Sequence, residues 1–325
     1  MKNVAIIGEI HPDGIDILNN NHCKVIDLSN ASEEKLKEIL KNVDAIVVRT
    51  ANLNADLLKE CLSLKIVARH GVGYDNVDIN FLNNNGIALA ITGAANAISV
   101  SEHVMTMFLY LCKLINKSDQ LVKKGKFIEK KLLPDFFEMF EKNILILGFG
   151  RIGRNLAKKC LGFDSNVYVY DPYVDISVIK ENNCKPIDLI EGLKIADFIT
   201  VHMPINNETR NMIGKDQFSM MKKTCIIVNT ARGGIINEKD LIWALTNKEI
   251  YGAGLDVYEK EPPDRSNPLF GLDNIVLSPH NAALTLECRK RMAVESCENI
   301  VYYLNDKSKL NINNIVNGKN INLEV

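Results

Sequence analysis

The stretch NILILGFGRIGRNLAKKC, residues 143 to 160, constrains this chain more than any other. Its apolar run predicts a short buried strand, Gly148-Phe-Gly150-Arg-Ile-Gly153 a tight turn, and the residues after the turn a helix. The three glycines serve different ends. Gly148 permits the turn, Gly150 lets a phosphate approach the backbone, and Gly153 packs helix against strand. The helix N-terminus adds amide donors and the positive end of a dipole, so the unit suits a pyrophosphate. Alone, a G-x-G-x-x-G run is a weak signal. Here the next apolar run, VYVY at 167–170, leads into Asp171, placed where an acid binds the ribose hydroxyls of an adenosine. Asp171 would repel a 2′-phosphate, and Pro172 and Tyr173 offer no cation for one, so NAD rather than NADP is the expected cofactor.

A unit of this kind often opens a chain, whereas this one begins at residue 143. The alternation of elements extends to both sides of it. VAII (4–7), AIVV (45–48) and KIVA (65–68) read as strands, with SEEKLKEILKN (32–42) helical between them. A second series runs through ILIL (144–147), VYVY, DFITV (197–201), CIIVN (225–229), GAGLDVY (252–258) and IVLS (275–278). The pattern predicts α/β layers with parallel sheets. Residues 99–125 read as one long helix, with Ser99 as its cap and Glu102 completing a capping box. LECRKRMAVESCENIVYYLN (286–305) is a further helix, followed by a polar, Asn-rich tail.

Composition narrows the function. The 325 residues, 46% hydrophobic, suffice for two packed domains. A net charge of −1 argues against a nucleic-acid partner. The eight cysteines are scattered without a C-x-x-C pair, which predicts reduced thiols and no metal site. The apolar run before Gly8 is too short for a signal peptide, and no stretch reaches the roughly 18 apolar residues of a membrane span. A soluble, cytoplasmic protein without membrane contacts is expected. Of 39 basic residues only nine are arginine, which directs attention to Arg49, Arg69, Arg151 and Arg232. The basic run KKGKFIEKK (123–131) reads as a solvated face or an oligomer arm.

In a doubly wound sheet, ligands sit outside the carboxyl ends of the strands. His202, Met203 and Pro204 follow DFITV, and Thr230, Ala231, Arg232, Gly233 and Gly234 follow CIIVN. Glu259 and Glu261 lie beyond GAGLDVY, and His280 beyond IVLS. An arginine can bind a carboxylate through two hydrogen bonds and polarise the neighbouring carbonyl. A histidine can exchange a proton with that oxygen while hydride moves at carbon, and a carboxylate beside it would orient the ring. Together these types describe reversible reduction of a 2-oxo acid to a 2-hydroxy acid. Arg232 could instead only cap or salt-bridge, but the two glycines after it point to a close backbone approach. Glu259 and Glu261 could both be ordinary surface acids. His202 is expected to sit beside the cofactor through its backbone and His103 to pack, while His11, His22 and His70 carry no comparable signal.

GFGRIGR with Asp171, VHMPINNETRNMIG, NTARGG, DVYEKEPP and SPHNAALT, in that order, resemble the D-isomer-specific 2-hydroxyacid dehydrogenases. RHGVGYDNVD (69–78) and NAISVSEH (96–103) match as well, so the resemblance spans most of the chain. It implies Arg232, Glu261 and His280 as the catalytic set, choosing Glu261 because it directly precedes the proline pair. It further implies that Arg151 and Ile152 bind the pyrophosphate through their backbone and that Asp171 holds the ribose. Met203, Thr230, Ala231 and Asp256 would line the cofactor, and the backbone of Gly71, Val72 and Gly73 would hold the substrate carboxylate. The family's nucleotide domain, here 98–283, is inserted into a flavodoxin-like substrate domain, 1–97 plus 284–325, with the active site in the cleft between two doubly wound domains. The helix from Ser99 and the basic run after it resemble the family's dimer-forming region, so a homodimer is expected.

Within the family, Arg49 and Arg69 at strand ends resemble the phosphate-side arginines of the phosphoglycerate dehydrogenase branch, which opens serine biosynthesis. Hydroxypyruvate or glyoxylate reduction is the alternative, in which Arg69 only braces its loop. A more remote alternative is a non-catalytic, NADH-sensing corepressor with the same Arg-Glu-His set. No regulatory domain is expected after residue 325. Two departures stand out: Thr92-Gly93 replaces the family's usual Thr-Pro, and FFEMFEKN before the fingerprint lacks its Gly-Lys.

Overall fold

The strands of this chain are short apolar runs, and a parallel sheet covered on both faces is where such runs are stable. The computed structural model, which describes residues 1–323, contains two such sheets. Residues divide into two compact units, one of 1–96 with the chain from 284 onward and one of 97–283.

In the first unit β1 (Lys2–Ile7), β2 (Cys23–Asp27), β3 (Ala45–Val48), β4 (Ile66–Arg69) and β5 (Ala88–Ile91) form a parallel sheet ordered β2-β1-β3-β4-β5. Alternate residues feed opposite cores: Ile46 and Val48 of β3 pack on one face, Ala45 and Val47 on the other. The helix Leu286–Asn305, capped by Thr285, covers the second face. A Cβ on Gly14 would lie 2.7 Å from the Ala293 carbonyl, so only glycine lets the helix Pro12–Asn20 approach this closely. That contact ties the two separated stretches of chain into one unit.

In the second unit β6 (Asn143–Leu147), β7 (Asn166–Tyr170), β8 (Lys185–Pro186), β9 (Phe198–Val201), β10 (Ile226–Asn229), β11 (Gly252–Leu255) and β12 (Ile275–Leu277) are parallel throughout, ordered β12-β11-β10-β9-β6-β7-β8. Leu145 and Leu147 face one core, Ile144 and Ile146 the other. The order reverses at β6, whose neighbours are β7 and β9. In the first unit it reverses at β1, between β2 and β3.

Several expectations need correction. The helix of 99–125 is two helices, Ala97–Lys113 and Ile115–Lys123, bent by 57° at Leu114, which adopts a left-handed φ of 45°. Leu114 itself is buried, whereas the second helix has no buried residue, so the chain leaves the core where its apolar periodicity ends. Among the described residues no single helix is long and apolar enough to cross a membrane. Ser99 is not a cap: it lies inside the first helix, buried, and its Oγ donates to the Ala282 carbonyl at 2.6 Å. Strands β2, β5 and β8 escape the sequence reading: β2 and β8 are partly exposed edge strands of mixed polarity, and the edge strand β5, Ala88-Leu-Ala-Ile91, has only one β-branched residue.

The Asn-rich tail is also more than polar surface. Val316 donates to Leu89 of the edge strand β5, and Asn317, 1% exposed, accepts from the Leu89 amide at 2.8 Å while its Nδ2 reaches Ile87 O and Asn83 Oδ1, each at 2.9 Å. Replacing Asn317 with Ala strands a buried amide and a carbonyl, which costs about 2–3 kcal/mol. Urea unfolding should show that loss, and an unchanged midpoint would refute this account of the tail.

Candidate active site

The glycine turn sits at the point where the second sheet reverses its order. A Cβ on Gly148, whose φ is +98°, would lie 2.6 Å from the His202 carbonyl, so the loops after β6 and β9 touch there. A Cβ on Gly153 would meet the Gly148 carbonyl at 2.2 Å, which is the close helix-to-strand packing the third glycine allows. A Cβ on Gly150 would meet nothing within 4 Å, and no side chain caps the helix Arg151–Leu161 that Gly150 begins. The space and the uncapped amides, with Arg151 and Ile152 at the first two helical positions, suit a pyrophosphate.

Asp171, just beyond β7, accepts from the Phe149 amide at 2.7 Å through Oδ2 and from the Tyr173 amide at 2.9 Å through Oδ1. Each oxygen keeps a lone pair for a ribose hydroxyl. On the other side of the turn, Met203 is buried and Pro204 exposed. His202 has Nε2 3.0 Å from Thr200 Oγ1 and a buried Nδ1 without a hydrogen-bond partner. Thr230, after β10, likewise has a buried, unpartnered Oγ1. The open space at Gly150, the uncapped helix amides and the lone pairs left on Asp171 are what a dinucleotide needs, so the residues present fit one.

Three more loops leave the same edge. After β10, Asn229 binds the loop at both ends: its Oδ1 accepts from the Ala231 amide and its Nδ2 donates to the Arg232 carbonyl. Arg232 Nη1 donates to the Ala231 carbonyl at 2.7 Å. Gly233 presses against the chain after β11, where a Cβ would fall 1.8 Å from the Tyr258 carbonyl. Beyond Tyr258 the two glutamates part. Glu259 caps the helix Glu238–Thr246 by accepting from the Glu238 amide at 2.9 Å. Glu261 instead accepts from the Tyr258 amide through Oε1 and stands 2.7 Å from His280 Nδ1 through Oε2. With Nδ1 so engaged, the half-exposed His280 ring keeps Nε2 available. Arg232 and His280 follow strands separated by β11 alone, so their loops begin roughly 10 Å apart.

Asp256, expected beside the cofactor, also holds a neighbouring loop. Its carboxylate is 1% exposed and accepts from Ser278 Oγ at 2.6 Å and from the Asn281 and Ala282 amides at 2.9 and 3.0 Å. It therefore holds the loop that presents His280, whose own φ is +51°. Ser278 Oγ also lies 2.9 Å from His103 Nε2, so His103 braces this loop rather than merely packing. No sequence spacing links residues 103, 256 and 278, and only the fold brings them together.

In the first unit Arg49 follows β3 beside the reversal at β1, and a Cβ on Gly8 would lie 3.0 Å from Arg49 Cβ. Arg69 ends β4, paired with Val48, and its Nη1 donates to the His70 carbonyl. Gly71, with a φ of +147°, follows, and its carbonyl accepts from the Thr92 amide; Val72 and Gly73 continue the loop. His70 carries no signal in the sequence, yet it is 4% exposed with neither ring nitrogen hydrogen-bonded. The departure at Thr92-Gly93 has a physical reason: the Gly93 N–H, absent from a proline, donates to Glu295 Oε1 at 3.1 Å. Among the described residues no cluster of His, Cys, Asp or Glu could hold a metal ion.

A doubly wound sheet with a glycine turn at its reversal and an acid ending the next strand defines a dinucleotide-binding fold, here with a His–Glu pair at the same edge. Residues 105–282 match the family model of the D-isomer specific 2-hydroxyacid dehydrogenase NAD-binding domain. The chain belongs to that family, and its cofactor is NAD. It is 38% identical over 97% of its length to a D-3-phosphoglycerate dehydrogenase of Archaeoglobus fulgidus, spanning 59% of that protein. It is 36% identical to a hydroxypyruvate reductase of Thermotoga maritima, covering 91% of this chain and 96% of that one. A solved glyoxylate reductase from Paecilomyes thermophila superposes with a TM-score of 0.87 at 25% identity, covering 98% and 99% of the two chains.

Burial lowers the pKa of His202 to about 3, and burial followed by the charges of Arg49 and Arg69 lowers that of His70 to about 4. Both rings are neutral in the fold, whereas the unfolded chain takes up their protons near pH 6.5. Stability is therefore full above that pH and falls by about 1.4 kcal/mol per pH unit for each such histidine as pH drops toward 4. Urea titrations between pH 7.5 and 5 should show this slope, and His70→Asn should flatten it by one proton. An identical slope in the variant would contradict the assignment.

Proposed function

We propose that the chain is an NAD-dependent oxidoreductase that interconverts a D-2-hydroxy acid and its 2-oxo acid. The observation that carries this reading is the His280–Glu261 pair, 2.7 Å apart, on the strand edge that also bears the glycine turn and Arg232. When bound, NAD supplies the acceptor for the hydride that leaves C2. Arg232 holds the substrate carboxylate and polarises the C2 oxygen. His280 Nε2 takes the hydroxyl proton during oxidation and returns it during reduction. Glu261 keeps the ring oriented and balances the positive charge that arises when Nε2 is protonated. On this reading the unit of residues 97–283 binds NAD, and the unit containing Arg49 binds substrate. His280→Gln should lower kcat by about 10²–10⁴-fold, with NADH affinity retained. Loss of NADH binding with it would show a structural role instead.

We further propose a phosphorylated substrate, 3-phosphoglycerate, at the opening step of serine biosynthesis. Arg49 beside the strand-order reversal and Arg69 on the neighbouring strand, together with the Archaeoglobus relative, support it. The near full-length Thermotoga relative supports hydroxypyruvate as the alternative. NADH oxidation with 3-phosphohydroxypyruvate, hydroxypyruvate, glyoxylate and pyruvate separates them. A preference for the phosphorylated acid that Arg49→Ala removes would establish the first reading. Equal use of the unphosphorylated acids, unaffected by that change, would sink it.

A homodimer is part of the same reading. Ile115, Phe127, Ile128, Leu132 and Phe136 are at least half exposed along one stretch of chain, apolar side chains that a second copy would cover. Sedimentation should give a dimer that Ile128→Asp weakens, and a monomeric wild type would refute it. All eight cysteines are free and buried, in keeping with a reducing, cytoplasmic setting.

A further inference from the structure

β6 lies between β9 and β7, so the glycine turn is flanked by the loops that follow those two strands. A side-chain hydrogen bond joins the loops: Tyr173 Oη donates to Glu208 Oε2 at 2.5 Å. Tyr173 is at the same time anchored to Asp171, whose Oδ1 accepts its amide. The Glu208 loop is also held in shape. Asn206 Oδ1 accepts from the Glu208 and Thr209 amides, each at 2.9 Å, and the buried Thr209 donates to the Pro204 carbonyl at 2.6 Å. One tyrosine thus links two carboxylates, one from each loop. The Tyr173 phenol has a raised pKa, chiefly through its hydrogen bond to Glu208 and the charge of that carboxylate.

Residues 171–175 and 204–209 supply Asp171, Asp175 and Glu208 and no lysine or arginine. Arg210, the cation next in sequence, directs Nη1 toward Gly234 after β10. These stretches of the two loops that flank the glycine turn therefore carry negative side chains and no positive ones.

We propose that Glu208, held by Tyr173, is a second specificity-determining carboxylate that acts with Asp171 to reject the 2′-phosphate of NADP. This rests on the reading of the unit as NAD-binding. A 2′-phosphate carries nearly two negative charges, and a carboxylate within roughly 6 Å of it in water would repel it by about tenfold in affinity. The ribose hydroxyls of NAD carry no charge and feel no such repulsion.

The test is equilibrium binding of NADH and NADPH at low salt, followed by nicotinamide fluorescence, for the wild type, Glu208→Gln, Tyr173→Phe, Asp171→Asn and the Asp171→Asn/Glu208→Gln double variant. Glu208→Gln should tighten NADPH binding about tenfold and change NADH less than twofold, and about 0.5 M salt should erase most of the gain. Tyr173→Phe should give part of the effect, and the double variant more than either single one. Unchanged NADPH affinity in Glu208→Gln, alongside a gain in Asp171→Asn, would overturn the proposal while leaving the NAD reading intact. A wild type that binds neither nucleotide would overturn both.

Discussion

A parallel sheet covered on both faces leaves polar chemistry almost nowhere to go but the ends of its strands. In the second unit the strand residues are nearly all buried and apolar, and the candidate groups emerge at one edge: the glycine turn, Asp171, His202, Thr230, Arg232, Glu261 and His280. The same constraint acts in the first unit, where Arg49 and Arg69 leave adjacent strands. Where the strand order reverses, the loops on either side diverge and leave a crevice. The glycine turn and Arg49 each stand beside such a reversal.

Loops at a strand edge are of little use to chemistry unless they are held still, and here the holding is done by buried polar groups and close backbone contacts. Asp256 gathers one hydroxyl and two amides into a single carboxylate, so its buried charge is compensated and the loop of His280 is fixed. Asn229 does the same for the loop of Arg232 on a smaller scale. Gly148 and Gly233 act by what they lack: no other side chain fits where two loop backbones meet. The site is thus made by residues that touch no substrate as much as by those proposed to do so.

The departures from the family pattern follow the same logic of local satisfaction. Gly93 offers an N–H that Glu295 uses, and Glu295 Oε1 accepts from Asn314 as well, joining the Thr92-Gly93 turn to the tail. Glu141, in the stretch that lacks the usual glycine, takes a left-handed φ of +56° and still donates its amide to the Asp164 carbonyl. A strained residue is tolerated there because its backbone hydrogen bond is kept.

The amino-acid sequence by itself determined the layered α/β class, most of the strands, the glycine turn with its acid, and the set of residue types at the strand ends. These are local: a buried strand must be apolar, a phosphate turn must be glycine-rich, and both are written in neighbouring residues. Three things were decided only by tertiary structure. One is how the two glutamates are used: the family pattern already picks Glu261, but only packing shows Glu259 turned to a helix and Glu261 to the His280 ring. Another is the work of His103, Asp256 and Ser278, which meet from three elements far apart in the chain. The last is the burial of His70 and of Asn317, polar residues whose surroundings come from other strands and helices. A side chain's polarity is a property of the sequence, but its solvent is a property of the fold.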